Sequence, residues 1–157
     1  MLATVLGIAA LLVVITNTIH LGGLVILSAI MRRQRFHPAH LETKIGQGTS
    51  IIVYVLSLFL LHAIEIWVYT AAFLWVGGFD NLHDALYFSI SAFTTVGFGD
   101  VLPAEPWRLL GATESANGFL LIGWSTAFLV SISSKIRMFE ASLEKAATPK
   151  SPEDQGE

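Results

Sequence analysis

The chain has 157 residues, of which 54% are hydrophobic and 13% are charged, and its formal net charge is −3. Soluble domains usually carry about a quarter charged residues, so this composition favours a membrane protein. The chain contains no cysteine, which excludes a disulfide, a thiol nucleophile and a thiolate metal site. The net charge is too small to indicate a nucleic-acid partner, and none is expected.

Three long apolar runs are the main feature of the chain. The run from Leu2 to Ile30 has no charged residue, the run 51–76 has only Glu65, and the run 109–134 has only Glu114. Each exceeds the ~20 residues that a helix needs to cross a bilayer. The first run lacks the basic start of a signal peptide and is longer than its apolar core, so we expect a retained membrane helix over 1–30. The sequence thus predicts an all-α integral membrane protein with three transmembrane helices.

Basic residues predict the orientation. Eight of the nine Lys and Arg residues lie in the loop 31–50 or the tail 135–157, and Arg108 is the exception. Because cytoplasmic segments are enriched in Lys and Arg, the loop and the tail are expected in the cytoplasm and the N-terminus outside. The loop pattern is also compatible with a short interfacial helix around 38–45. The charged, proline-containing end of the tail is typical of disorder.

The outward segment between the second and third runs holds a short predicted helix, 82–94. Asn81 is a good N-cap, and Asp84 is an acid suited to the first turn. A helix of this length spans about 18 Å, which is too short to cross the membrane. A glycine-containing stretch, TTVGFGD, follows it and leads to Pro103 and Pro106. Together these features predict a re-entrant hairpin, whose irregular backbone must line a water-filled cavity or be buried in protein.

The stretch TTVGFGD suggests a specific use of the backbone. Gly97 and Gly99 can adopt left-handed dihedrals without a steric penalty from Cβ. Alternating such residues with ordinary ones turns successive carbonyls to one side, while Val96 and Phe98 point away. Four such chains around an axis would form stacked cages of oxygen, closed at the inner end by the Thr95 hydroxyls. Such cages can replace the hydration shell of a monovalent cation.

These residues resemble a known family. TTVGFGD is similar to the signature filter of potassium channels, with Phe98 where many members have Tyr, and residues 85–100 resemble the pore helix and filter of two-transmembrane bacterial potassium channels. The resemblance implies a homotetramer in the cell membrane, with K⁺ held by Thr95, Val96, Gly97 and Phe98, and with no cofactor besides the permeant ion. It also divides the pore domain, 51–134, into an outer helix 51–76, a pore helix 82–94, a filter 95–100 and an inner helix 107–134. The run 1–30 has no counterpart in two-helix members.

The resemblance also identifies residues that would support the filter. Some bacterial members pair the filter aspartate, here Asp100, with a glutamate of the pore helix, and this chain has Ser91 at that position. Asp100 is therefore expected to lack that partner. Tyr87 stands where many relatives have tryptophan, and its hydroxyl can reach a neighbour. Glu114 and Glu65 are expected behind the filter, hydrogen-bonded to groups such as Ser91 or Tyr87. Since burial disfavours an ionised carboxylate, pH-sensitive gating is one hypothesis, and a purely structural role for the acids is the alternative.

Glycines of the third run are candidates for a gating hinge. Gly118 lies near the hinge position of the family and Gly123 is the second choice, although close helix packing explains a membrane glycine equally well. His62 precedes Glu65 by one turn, so the two side chains can pair. His20 and Asn17, in the first run, are interpreted as contacts between helices. A metal site was not expected, because His62 and Glu65 alone supply too few ligands.

Two alternatives to a K⁺-selective channel remain open at this point. One is a weakly selective cation channel, which the intact glycine pair disfavours. The other is a non-conducting regulatory subunit of a K⁺ transport complex. The chain shows no arrangement of residues that indicates an enzyme.

Overall fold

The computed structural model describes residues 1–34 and 44–147, and in this part of the chain every regular element is helical. The elements are α1 (Leu2–Gln34), α2 (Lys44–Trp75), α3 (Leu82–Phe93), a 3₁₀ turn (Glu105–Trp107) and α4 (Arg108–Ala147). Segments within α1, within α2 and from the 3₁₀ turn into α4 are long and apolar enough to cross a membrane. The expectation of an all-α membrane fold with three spanning helices is confirmed.

The long helices extend beyond the apolar runs that predict them. Helix α1 continues to Gln34, α2 begins at Lys44 and α4 continues to Ala147. Apolar runs mark the part of a helix that contacts lipid, whereas the helix itself continues as long as its backbone hydrogen bonds can form. Most of the loop helix expected around 38–45 and the end of the tail, 148–157, lie outside the described residues.

Helix α3 begins and ends where local chemistry predicts. The Asn81 side-chain oxygen accepts a hydrogen bond from the Asp84 N–H at 2.9 Å, and its amide nitrogen donates to the Asp84 carboxylate at 2.8 Å. This reciprocal pair satisfies an N–H group at the start of the helix, and it lowers the pKa of Asp84. The last helical residue is Phe93, one earlier than predicted, because Thr94 leaves the helix with φ −79° and ψ 0°.

The four helices pack around one apolar core. Helix α3 lies between α2 and α4, and α1 packs on both α2 and α4 of its own chain. The buried core combines residues of every helix: Val5, Ala9, Leu12, Tyr69, Phe73, Phe93, Leu110 and Leu121. The rings of Phe73, Phe79 and Phe88 meet with centroids 5.3–5.6 Å apart and fix the outer end of α3 against α2.

A buried polar network joins α1 to the rest of the bundle. The Asn117 amide nitrogen donates to the Thr16 hydroxyl at 2.8 Å and to the Tyr69 hydroxyl at 3.1 Å. The Asn17 amide nitrogen donates to the Asn117 carbonyl oxygen at 2.7 Å. These four residues, the Asn117 network, connect α1, α2 and α4 within the membrane region. The interpretation of Asn17 as a contact between helices is confirmed.

We expect the Asn117→Ala substitution to destabilise the bundle by about 1–3 kcal/mol, because interhelical hydrogen bonds in membranes contribute about 0.6–1.7 kcal/mol each. Thermal unfolding in detergent measures the change. Thr126→Ala is the matched control, since the exposed Thr126 hydroxyl bonds only the Ile122 carbonyl of its own helix. Equal melting temperatures for the two variants would contradict a stabilising role for the network.

Candidate ion-conducting site

The segment after α3 has an alternating backbone. Thr95, Gly97 and Gly99 have φ angles of 61°, 58° and 77°, whereas Val96 and Phe98 between them have negative φ. Among the described residues, Thr95 is the one non-glycine with positive φ. A left-handed conformation costs a non-glycine residue about 1–2 kcal/mol, and such strain is typical of functional sites. The two glycines predict part of this pattern from sequence, and Thr95 extends it inward by one step.

Ser91 of α3 holds this filter segment (Thr95–Asp100) through two backbone N–H groups. The Gly97 N–H donates to the Ser91 carbonyl oxygen at 3.1 Å, and the Phe98 N–H donates to the Ser91 hydroxyl at 3.2 Å. Ser91 is buried, so its bonds are shielded from solvent. Because these N–H groups bond to α3, the ladder of filter carbonyls is left free of that helix. Ser91 thus lies where a residue that supports the filter must lie.

Tyr87 fixes the outer end of the filter segment. Its hydroxyl donates to the Asp100 carboxylate at 2.8 Å, and its ring stacks on Phe98 with centroids 6.3 Å apart and planes 14° from parallel. Asp100 also accepts from the Val101 N–H at 3.0 Å. The hydrogen bond to Asp100 raises the pKa of Tyr87, since losing the phenol proton would break that bond. Asp100 lacks the pore-helix glutamate of some relatives, and Tyr87 takes the place of that partner.

The intramembrane acids lie in different surroundings, and neither bonds to Ser91 or Tyr87. Glu114 is fully buried beside Ser89 of α3, yet its two oxygens and the Ser89 hydroxyl form no hydrogen bond with a described residue. Glu65 is also fully buried and is bonded by His62 and His20, each at 2.9 Å. The expected pairing of His62 with Glu65 is present. The expectation that Glu65 bonds to pore-helix groups is wrong, because the histidines occupy both of its oxygens.

The two glycines proposed as hinges differ in their contacts. Helix α4 passes through both Gly118 and Gly123 without a break. A Cβ atom added to Gly118 would overlap the backbone of Phe93, including its carbonyl oxygen, whereas one added to Gly123 would meet nothing within 4 Å in the single chain. Gly118 therefore allows α4 to contact the last turn of the short helix. This packing role stands on geometry, and a hinge role for either residue stays a prediction.

Short re-entrant helix, alternating filter segment and long following helix together define the pore-loop architecture of an ion channel. A family model described as "Ion channel" matches residues 49–135, which is more than half of the chain, and the chain therefore belongs to this family. The match covers α2, α3, the filter segment and most of the described part of α4, and it excludes α1. Comparisons with curated proteins and with solved structures give no match.

We expect Gly118→Ala to disrupt the contact between α4 and α3, because the new methyl group meets backbone atoms, which cannot move aside as a flexible side chain can. The loss of stability is expected to be about 1–3 kcal/mol. Thermal unfolding and size-exclusion profiles of the purified protein measure it. Gly123→Ala adds the same methyl group to open space and is expected to behave like the parent in thermal unfolding, so equal losses in both variants would contradict the packing role.

Proposed function

We propose that the protein is a potassium-selective channel that conducts K⁺ passively through a homotetrameric pore. The observation that carries the proposal is the alternation of φ at Thr95, Gly97 and Gly99 on a segment held from behind by Ser91. Such a backbone presents successive carbonyl oxygens on one side and can replace the hydration shell of a monovalent cation. The carbonyls of Thr95, Val96, Gly97 and Phe98, with the Thr95 hydroxyl, are the proposed K⁺ ligands.

The exposure of the filter segment supports assembly with other copies. Residues 94–100 are exposed in the single chain, although the three residues before them are buried. Val96 is 55% exposed and Phe98 is 69% exposed, which leaves apolar side chains next to polar backbone. Irregular backbone within a membrane protein requires protein or a water-filled cavity around it. One row of oxygens covers a single side of an ion, and three further identical subunits would enclose it.

Helix α3 contributes a favourable field at the inner end of the proposed filter. A helix carries a partial negative charge at its C-terminus, and α3 ends at Phe93, directly before the filter segment. Four such ends around one axis would stabilise a hydrated cation in the centre of the membrane. The effect is independent of side chains, which fits the apolar character of this turn.

Potassium flux through the protein in liposomes is expected to exceed sodium flux clearly, and Gly97→Ala is expected to reduce it by about tenfold or more. At φ 58° an alanine costs about 1–2 kcal/mol in every subunit, which shifts the filter away from the conducting geometry. Gly22→Ala is the control, because Gly22 has open space around it in α1. Comparable Na⁺ and K⁺ fluxes would instead support the weakly selective channel, and an absence of flux would support a regulatory subunit.

The proposed topology places the N-terminus and residues 77–107 outside and the C-terminus in the cytoplasm, following the distribution of Lys and Arg. Because the chain has no native cysteine, single cysteines report their side of the membrane without a background signal. We expect a membrane-impermeant maleimide to label His83→Cys in intact cells and to label Ser151→Cys only after permeabilisation. The opposite pattern would contradict the orientation.

A further inference from the structure

Two histidines and a glutamate from different helices meet inside the bundle. His20 of α1 and His62 of α2 each place Nδ1 2.9 Å from a different oxygen of Glu65. One ligand atom from each of the three side chains can be chosen so that all three lie within 4.8 Å of one another. His20 and Glu65 are fully buried, and 16% of the His62 side chain is exposed. We call these three residues the His–Glu cluster.

We propose that the His–Glu cluster binds a divalent transition-metal cation of the zinc class, through Nδ1 of His20, Nδ1 of His62 and the Glu65 carboxylate. Two imidazoles and one carboxylate form a ligand set that suits borderline cations such as Zn²⁺ and Co²⁺, whereas Mg²⁺ and Ca²⁺ prefer oxygen ligands. The sequence pairs only His62 with Glu65. The fold adds the third ligand, His20, which precedes Glu65 by 45 residues.

The separations in the cluster are close to those that a metal requires. Bonds of about 2.0–2.2 Å place the ligand atoms of a tetrahedral zinc site about 3.4 Å apart. Each nitrogen–oxygen distance of 2.9 Å would have to open by roughly half an ångström, which side-chain rotation can supply. The partial exposure of His62 leaves one side of the cluster open for entry and for a water molecule in the fourth position.

The far side of the His20 ring has the partner expected of a metal-binding histidine. Binding through Nδ1 requires the ring proton on Nε2, and the Ser125 hydroxyl oxygen lies 3.4 Å from that atom. Such a second hydrogen bond fixes the tautomer and the direction of a metal-bound imidazole. The Trp124 ring stacks on His20 with centroids 5.7 Å apart and restricts its rotation. Both groups belong to α4, so three helices would converge on one ion.

The surroundings are also electrostatically suited to a cation. Glu65 supplies one negative charge in a region that lacks water, where an isolated charge would be costly. The His62 ring lies 5.7 Å from the ring of Phe93, the last residue of α3, so the cluster is close to the negative end of that helix. Metal binding would tie α1 to α2 and stabilise the bundle, whether or not the pore conducts K⁺.

The test uses full-length protein without a histidine tag, in which His37, His40 and His83 are replaced by Ala, so that His20 and His62 are the remaining two of five histidines. Titration calorimetry with Zn²⁺ and absorption spectra with Co²⁺ measure binding. We expect one ion per chain, a tetrahedral Co²⁺ spectrum and a higher melting temperature with Zn²⁺. His20→Ala and His62→Ala are expected to abolish stoichiometric binding, and Ser125→Ala to weaken it by about tenfold.

Glu65→Gln and His20→Gln keep the approximate size of the side chains and show whether lost binding reflects lost ligands rather than lost folding, because both should elute and melt as folded protein without binding Zn²⁺. Thr126→Ala, on the exposed side of α4, is expected to leave Zn²⁺ affinity unchanged. The proposal is overturned if the folded background protein binds no Zn²⁺, which would make the cluster a hydrogen-bonded contact alone. It is equally overturned if binding persists in His62→Ala.

Discussion

The structure depends on one constraint: backbone polar groups that leave a helix within a membrane protein must find other partners. The filter segment meets this constraint unequally. The N–H groups of Gly97 and Phe98 bond to Ser91, behind the segment. The carbonyl groups on the opposite side are then available to a dehydrated cation, which is the one partner that can also leave. Support of the N–H groups and conduction through the carbonyl groups are therefore two consequences of the same geometry.

Polar side chains within the membrane region follow the same rule and determine where α1 lies. Asn17 bonds to Asn117, and His20 bonds to Glu65, so α1 is attached at two levels to helices of the pore domain. Unpaired polar groups in this region would be costly, and the pairing makes α1 an integral part of the bundle although it lies outside the matched family segment. Glu114 and Ser89 depart from the rule, since neither bonds to a described residue.

The sequence allows the local features to be predicted and leaves the long-range ones undetermined. Asn81 as a helix cap and glycine at positions 97 and 99 follow from rules that involve neighbouring residues. The positive φ of Thr95 does not, because threonine avoids that conformation and tertiary contacts impose it. The contact between His20 and Glu65 joins residues 45 positions apart, and no periodic pattern encodes which faces of two uniformly apolar helices meet. Apolar runs likewise indicate membrane segments without indicating where their helices end.

Gly118 shows how these contacts combine in one place. Its lack of a side chain lets α4 approach the backbone of Phe93, at the end of α3 and next to the filter segment. The preceding residue, Asn117, bonds to Thr16 and Asn17 of α1. Adjacent residues of α4 therefore contact the support of the filter on one side and the additional helix on the other. Since packed interfaces deform little before they separate, a bend of α4 at this level would alter both contacts together.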